Sequence, residues 1–243
     1  MISLSTEASL EMLPKISGLM DLDFALAHMV LQDAAYAEYY RNRMFKREVI
    51  LDNSMFELGY PLPLADLKRA VDLILPDWII APDWHSDAKR TFDAWKEAWK
   101  EFGSKTAVVI WGTTQQDRQH FANAVTGRSD MICLPFRGDR LNWYTDDIMG
   151  YVQQFPRVHL QGVNELPELN EWTKIAASMP YWKWTLDTSK PIKWGLNGTR
   201  FKHGVSYRNC PLRHARYLEW KNPLTPTEEA DIFYNIAYLR RYL

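Results

Sequence analysis

The chain alternates short, continuous apolar runs with longer stretches in which apolar residues recur at helical spacing. Six of the runs predict strands buried on both faces of a parallel sheet, because they show no alternation between apolar and polar positions. They are Glu48–Asn53, Trp78–Asp83, Lys105–Gly112, Met131–Phe136, Arg157–Gly162 and Trp182–Asp187. We also expect an early strand near Lys15–Met20 and a late one within Val205–Trp220, which would bring the number of strands to eight.

The segments between these runs predict helices. Leu64–Leu75 is an example, because Leu64, Leu67, Val71 and Ile74 fall on one face of a helix. The other predicted helices are Asp23–Arg43, Ser86–Phe102, Thr114–Val125, Thr145–Phe155, Glu165–Ser178 and Thr227–Leu243, with Ser86 and Thr227 as N-caps.

This alternation of strands and helices indicates a sheet built from βαβ units. A length of 243 residues suits a single (β/α)8 barrel. We therefore predict an α/β fold in one domain, residues 1–243: a TIM-type barrel that tolerates irregular elements and has no zinc-binding subdomain. The alternative is an open doubly wound sheet. Its dinucleotide-binding form is disfavoured, because no Gly-x-Gly-x-x-Gly motif follows a strand.

Composition excludes several classes of protein. Hydrophobic residues make up 47% of the chain and charged residues 24%, as in an ordinary globular protein. The only cysteines are Cys133 and Cys210, too few for a disulfide framework or for a zinc site with several thiolates. The chain shows no signal peptide and no apolar run long enough to cross a membrane, so we predict a cytoplasmic location without a membrane partner.

The charge is balanced overall but uneven along the chain. The formal net charge of −1 argues against a surface that coats nucleic acid throughout. Residues 190–221, however, carry eight Lys and Arg residues, and Glu219 is their only acid. This segment is either a solvated face or a rim that contacts phosphates. The candidate nucleic-acid contacts are Lys190, Lys193, Arg200, Lys202, Arg208 and Arg213.

Three of the apolar runs end on an aspartate, namely Asp52, Asp83 and Asp187. In a barrel, the carboxyl ends of the strands meet at one mouth, where active sites lie. A cluster of acids without histidine or cysteine ligands suits two chemistries. One is magnesium binding by carboxylates, and the other is glycosyl chemistry with a carboxylate pair. Sequence spacing leaves both open.

The segment Leu51–Gly59, which reads Leu-Asp-Asn-Ser-Met-Phe-Glu-Leu-Gly, resembles the strand-end motif of tRNA-guanine transglycosylases. It is still more similar to the form in the zinc-free, DNA-modifying branch of that superfamily from phages and bacteria. Across residues 15–205, further matches follow in the family's order at Ala81–Asp83, Trp111–Gly112, Gln161–Val163 and Asp187–Ser189. The chain lacks the family's Cys-x-Cys-x-x-Cys…His zinc site, which favours DNA over tRNA as the substrate.

The resemblance implies a pentosyltransferase that exchanges guanine in DNA for a 7-deazaguanine base, such as the 7-cyano form. Asp187 would be the nucleophile of a covalent aspartyl-glycosyl intermediate, and Asp52 the general acid/base. Asp83 would bind the guanine edge. The remaining implied base contacts are the backbone at Gly112, Leu134, Pro135 and Gly162 and a stacking ring from Phe56 or Trp84.

The target guanine would have to be flipped out of the duplex or lie in a single strand. Base exchange requires no metal, ATP or nicotinamide cofactor, and the sequence is compatible with a homodimer. A phage-encoded chain would act in the cytoplasm of its bacterial host. The alternatives are a metal-dependent phosphoesterase or glycosidase on a carboxylate-rich barrel, a tRNA-directed transglycosylase, and a non-catalytic nucleic-acid-binding protein.

Overall fold

Eight parallel strands form a nearly closed barrel with helices between them, which confirms the predicted fold class. The structure is a computed structural model that describes residues 1–42, 47–85, 87–135, 150, 152–163, 165–202 and 217–243.

The strands are short and all run in the same direction. They are β1 (Ile2–Ser5), β2 (Asp23–Leu26), β3 (Val49–Asp52), β4 (Trp78–Ile80), β5 (Thr106–Val109), β6 (Met131–Leu134), β7 (Arg157–Leu160) and β8 (Lys183–Asp187). Their order in the sheet is β1-β8-β7-β6-β5-β4-β3-β2, so that the first strand lies beside the last. At the seam between β1 and β2, the backbone N–H of Asp21 donates to the carbonyl of Leu4 at 2.9 Å.

Within the described residues, the helices cover the outside of the barrel. They are α1 (Leu13–Ile16), α2 (Ala27–Gln32), α3 (Ala34–Asn42), α4 (Met55–Leu58), α5 (Leu64–Ile74), α6 (Ala88–Phe102), α7 (Gln115–Val125), α8 (Leu166–Ser178), α9 (Lys190–Leu196) and α10 (Pro226–Arg240). Helices α9 and α10 pack closely because position 195 is glycine: a Cβ atom there would lie 2.7 Å from the backbone nitrogen of Ile232.

The first two strands differ from the prediction. Lys15–Met20 was expected to be a strand, but it lies in α1 and the 3-10 turn Ser17–Leu19. Asp23–Leu26 was expected to begin a helix, but it is β2 and pairs with β3 from Asp23 opposite Val49 onward. Alanine and leucine favour helices in isolation, so pairing with a neighbouring strand overrides the local preference here.

The predicted late strand lies mostly outside the described residues. The eighth strand of the barrel is β8, which pairs with β1 from Ile2 opposite Trp184 to Ser5 opposite Asp187. Of the segment predicted to supply it, residues 205–216 lie outside the described residues, and Tyr217 and Leu218 are helical. Most of the predicted helix Thr145–Phe155 also lies outside the described residues.

The interior is filled by side chains from opposite strands. The rings of Phe24 on β2 and His159 on β7 stack with their centroids 5.4 Å apart. At the amino end of the barrel, Glu48 forms ion pairs with Arg157 and Lys183, which links the start of β3 to the starts of β7 and β8. Ion pairs thus link the amino ends of these barrel strands, whereas active sites in such barrels lie at the carboxyl ends. Among the described residues, no helix has the length and apolarity needed to cross a membrane.

Candidate active site

The three aspartates predicted from the strand ends all lie at the carboxyl end of the barrel. Asp52 is the last residue of β3, Asp187 is the last residue of β8, and Asp83 follows β4. Their exposed fractions are only 7%, 2% and 5%, respectively. The pKa of the Cys133 thiol on β6 is raised first by burial and then by the charges of all three aspartates. The three carboxyl groups therefore act on one common region.

Asp52 begins a tight turn between β3 and α4. Its Oδ2 atom accepts the backbone N–H of Ser54 at 2.7 Å, and Asn53 Oδ1 accepts the N–H of Met55 at 2.8 Å. Ser54 itself is left-handed, with φ of 63°, which is uncommon for a residue other than glycine. Burial, followed by the charge of Glu57, raises the pKa of Asp52 well above its ordinary value. The turn therefore holds a carboxyl group that keeps its proton more readily than usual.

Asp83 is held on both of its carboxylate oxygens. Asn53 Nδ2 donates to Oδ1 at 2.8 Å, and the indole N–H of Trp111 donates to Oδ2 at 2.7 Å. Burial raises the pKa of Asp83, although these two hydrogen bonds oppose the shift. Because the protein itself occupies both oxygens, Asp83 is fixed in place by its neighbours.

Asp187 is bound to β7 and to the turn that follows it. Its Oδ1 atom lies 3.1 Å from His159 Nε2 and accepts the backbone N–H of Gly162 at 3.0 Å. The other ring nitrogen of His159 lies 2.9 Å from Thr185 Oγ1. His159 is completely buried, so Thr185, His159 and Asp187 form a polar row inside the barrel that fixes the aspartate.

Two further acids lie at the same mouth, and the sequence analysis did not identify them. Glu7 follows β1 and is buried, and Glu57 is half-buried in α4. Burial, together with the charges of Glu57 and Asp187, raises the pKa of Glu7 well above its ordinary value. Burial also raises the pKa of Glu57 to about 7. Glu57 can therefore carry a proton near neutral pH, and Glu7 keeps its proton more readily than an ordinary glutamate.

A tyrosine and a lysine complete the cluster. The buried hydroxyl of Tyr217 donates to Glu7 Oε2. The Lys193 ammonium group lies 4.6 Å from the centroid of the Tyr217 ring, and its charge lowers the pKa of both Glu7 and Glu57. We refer to Glu7, Asp52, Glu57, Asp187, Lys193 and Tyr217 as the mouth cluster.

The other residues predicted to contact a base differ in their surroundings. Gly112 is approached by α7, since a Cβ atom there would lie 2.9 Å from the Arg118 side chain. Leu134 and Pro135 are buried, and the Leu134 carbonyl accepts the N–H of Gln161 within the sheet. Gly162 uses its N–H to bind Asp187, as described above.

Of the two aromatic residues expected to stack on a base, Phe56 is exposed to 69% at the start of α4. Trp84 is covered by the guanidinium group of Arg90, whose Cζ atom lies 4.2 Å from the ring centroid.

The predicted basic rim divides into two parts. Lys190 and Lys193 lie on α9, directly after β8. Arg200 instead forms an ion pair with Asp231 on α10, at 2.5 Å, and Lys202 is exposed. Arg208 and Arg213 lie outside the described residues.

Sequence patterns contained partial signals for the residues that were missed. Glu57 lies within the motif Leu51–Gly59. His159 faces the same side as Asp187, which alternation along the paired strands β7 and β8 could have indicated. Glu7 could not be placed, because β1 was not predicted.

Buried carboxyl groups with raised pKa values, one cation and a strained turn at the carboxyl end of a parallel barrel are typical of an enzyme that transfers protons. Where the structure describes the chain, no three His, Cys, Asp or Glu side chains come together as metal ligands. Asp52, Asp83 and Asp187 are therefore not grouped as three ligands of one ion.

No protein-family model matches the chain, and no curated protein matches it. Among solved structures, the crystal structure of KGPDC from Streptococcus mutans is similar, with a TM-score of 0.52 and 12% sequence identity. The match covers 98% of this chain and 99% of that chain. At this identity the likeness shows a common barrel fold.

This finding corrects the family assignment. KGPDC, 3-keto-L-gulonate-6-phosphate decarboxylase, is a barrel of the orotidine-5′-phosphate decarboxylase-like type, a different superfamily from the tRNA-guanine transglycosylases. The transglycosylase assignment is therefore wrong. The correction extends to the phage DNA-modification activity, to the glycosyltransferase class, and to the alternatives of a tRNA-directed transglycosylase, a phosphoesterase and a glycosidase.

The structure gives a physical reason why the motif misled. Within Leu51–Gly59, Asp52 and Asn53 each accept a backbone N–H two residues ahead, and Asn53 also donates to the carbonyl of Ala81 at 2.7 Å. Asx residues favour such local turns wherever a strand ends. Turn chemistry alone thus accounts for the first residues of the motif.

Proposed function

We propose that this chain is a lyase that acts on a carbon next to a carbonyl group in a small polar substrate bound at the mouth cluster. The observation that carries the proposal is that several buried acids and the Lys193 ammonium group meet at the carboxyl end of the barrel. Among these acids, Glu57 has a pKa raised to about 7, which suits it to both give and take a proton near neutral pH. The barrel likeness to KGPDC, a decarboxylase, supports the same class by analogy of fold.

In the simplest such reaction, a β-keto acid loses CO2. The bond between the carboxylate carbon and the α-carbon breaks, and its electron pair moves into the adjacent carbonyl group to form an enolate. The Lys193 ammonium group stabilises the enolate oxygen. Glu57 then gives its proton to the α-carbon and takes a replacement proton from water.

Two of the predicted catalytic aspartates keep roles in this proposal. Asp187 uses Oδ1 for His159 and Gly162, and in this proposal its Oδ2 accepts a hydrogen bond from a substrate hydroxyl group. Asp52 carries a proton more readily than usual and serves as a hydrogen-bond donor to a substrate oxygen. Lys190 and Lys193 favour an anionic substrate such as a sugar phosphate.

The test incubates the protein in D2O with a panel of β-keto acids and phosphorylated ketoses. Proton NMR then follows the appearance of the decarboxylated product and the uptake of deuterium at carbon. We expect turnover or exchange with at least one compound. Glu57→Gln should reduce it by about 100-fold, the usual contribution of a general acid, and should remove the limb of the pH–rate profile near pH 7.

The matched control is Glu97→Gln, since Glu97 is exposed on α6 and pairs with Lys100. It should leave the rate unchanged. Failure of the wild-type protein to act on any member of the panel would overturn the lyase proposal. Full activity of Glu57→Gln would remove Glu57 from the mechanism.

A further inference from the structure

We propose that Tyr217 is a positioning residue that holds Glu7 through its hydroxyl group and Lys193 through its ring, so that an acid and a cation face the same part of the substrate. The effect of Tyr217 on catalysis rests on the proposed function. Its contacts with Glu7 and Lys193 can be measured without a substrate.

Tyr217 stands between two elements of the mouth. Its side chain is completely buried, and its hydroxyl donates to Glu7 Oε2. The Lys193 ammonium group lies over the face of its ring, 4.6 Å from the centroid. A cation over an aromatic face is attracted by the electrons of the ring, most strongly where water is excluded. One side chain thus contacts both an acid and a cation.

The two partners come from neighbouring strands. Glu7 follows β1, and Lys193 lies on α9, directly after β8. Because all four residues of β1 pair with β8, the carboxyl ends of the two strands are adjacent, with Ser5 opposite Asp187. A ring placed above this pair of strands can therefore set the separation between the acid and the cation.

The groups around Glu7 raise or lower its pKa, and the Tyr217 hydroxyl group is one of those that lower it. Glu57 from α4 and Asp187 at the end of β8 face Glu7 and, with burial, raise its pKa; the Tyr217 hydrogen bond and the Lys193 charge lower it. The pKa of Tyr217 is itself raised well above its ordinary value by burial and then by the Glu7 charge. Tyr217 therefore keeps its proton and stabilises the carboxylate form of Glu7 as a donor.

The first experiment is a pH titration of the glutamate side-chain carboxyl groups by 13C NMR, with Glu7→Gln used for assignment. Tyr217→Phe keeps the ring and removes the hydroxyl group. We expect the midpoint of the Glu7 titration to move to higher pH in this variant. An unchanged midpoint would overturn the role of the hydroxyl group.

Tyr40→Phe is the matched control, because Tyr40 is an equally buried tyrosine whose hydroxyl donates to the Phe24 carbonyl at 2.9 Å. It should leave the Glu7 midpoint where it is. A shift in both variants would show that general loosening of the barrel is the cause, and would also overturn the proposal.

The second experiment measures the rate at which a water-soluble acetylating reagent modifies Lys193, read by mass spectrometry. Tyr217→Phe should match the wild-type protein, whereas Tyr217→Leu, which removes the ring, should react several-fold faster. Equal rates in all three proteins would overturn the role of the ring. If Tyr217→Leu does not fold, pentafluorophenylalanine at position 217 keeps the shape of the ring but reverses the polarity of its face. Lys193 should then be acetylated faster than in Tyr217→Phe, and an equal rate overturns the contact.

The activity readout separates this inference from the proposed function. On any β-keto acid that is turned over, Tyr217→Phe should lower kcat/KM about tenfold, the usual loss for a hydrogen bond to a charged group, and should shift the pH–rate profile. If no substrate is turned over, the NMR and acetylation results still decide the positioning role.

Discussion

At the scale of single residues, Asp83 shows how the barrel holds a carboxylate inside apolar surroundings. Its two oxygens accept hydrogen bonds from Asn53 and Trp111. We predict that Trp111→Phe lowers the free energy of unfolding by about 2 kcal/mol, because it removes a hydrogen bond to a buried carboxylate and leaves one oxygen without its donor. Urea unfolding at pH 7 measures this change.

Trp99→Phe provides a matched comparison for this prediction. The Trp99 indole donates to the Arg128 backbone carbonyl, also at 2.7 Å, but near the surface and to a neutral acceptor. Its loss should cost about 1 kcal/mol or less. Equal losses in the two variants would contradict the argument that the charge and burial of Asp83 make its contact the stronger one.

The site residues that could be predicted from sequence are those that end an apolar run. Asp52, Asp83 and Asp187 were placed at the mouth because a strand buried on both faces is visible as an apolar segment, and its end follows. Tyr217 and Glu7 meet across more than 200 positions of sequence. No local pattern encodes such a contact, since it depends on how the last part of the chain packs on the first strand.

At the scale of secondary-structure elements, the same reasoning explains which strands were predicted. Each of the six long apolar runs contains a strand, since burial on both faces demands apolar side chains throughout. The strands β1 and β2 are as short as the others, but they read Ile-Ser-Leu-Ser and Asp-Phe-Ala-Leu and contain polar residues. They therefore do not stand out as apolar runs, and pairing with a neighbour decides their structure.

The start of the C-terminal helix was predicted two residues too late. The C-terminal helix was predicted to begin with Thr227 as the N-cap, but α10 begins at Pro226 with Thr225 as the N-cap. Thr225 and Glu228 form a capping box, in which each side chain accepts the backbone N–H of the other residue. Thr227 is followed directly by two glutamates, but only Thr225 has a glutamate three residues later and a proline directly after it, which is the capping-box pattern.

We predict that Thr225→Ala lowers the free energy of unfolding by about 1 kcal/mol, because the N–H of Glu228 loses its side-chain acceptor. Thr227→Ala, two residues away in the first turn, should change it by less than about 0.5 kcal/mol. Thermal unfolding of the two variants, followed by circular dichroism, makes the comparison. A larger loss for Thr227→Ala would place the cap at the position predicted from sequence.

At the scale of the whole molecule, the raised pKa values of the mouth cluster make the folded state less stable as the pH rises. Burial raises the pKa values of Glu7, Asp52 and Glu57, so the folded protein binds more protons than the unfolded chain above the ordinary pKa of a carboxyl group. By linkage, stability then falls as the pH rises. For Glu57 the fall covers the interval from its ordinary value of 4.5 to about 7.

His28 acts in the opposite direction. Burial lowers its pKa from 6.5 to about 4, so the unfolded chain takes up a proton in this interval that the folded protein does not. Its contribution therefore rises with pH up to 6.5 and partly masks the effect of the acids in the wild-type protein. A variant that changes only one acid avoids this difficulty, because His28 contributes equally to both proteins.

We predict that Glu57→Gln is more stable than the wild-type protein by about 2 kcal/mol at pH 8, because the glutamine needs no proton to be buried. The advantage should shrink toward zero at pH 4.5, where the glutamate of the folded protein carries its proton. Urea unfolding at both pH values measures it, and Glu97→Gln should follow the wild-type curve. A difference that does not depend on pH would contradict the raised pKa. A variant that is more stable at pH 8 but has lost the proposed proton transfer would mean that the fold tolerates Glu57 for its chemistry, since the barrel is better off without its charge.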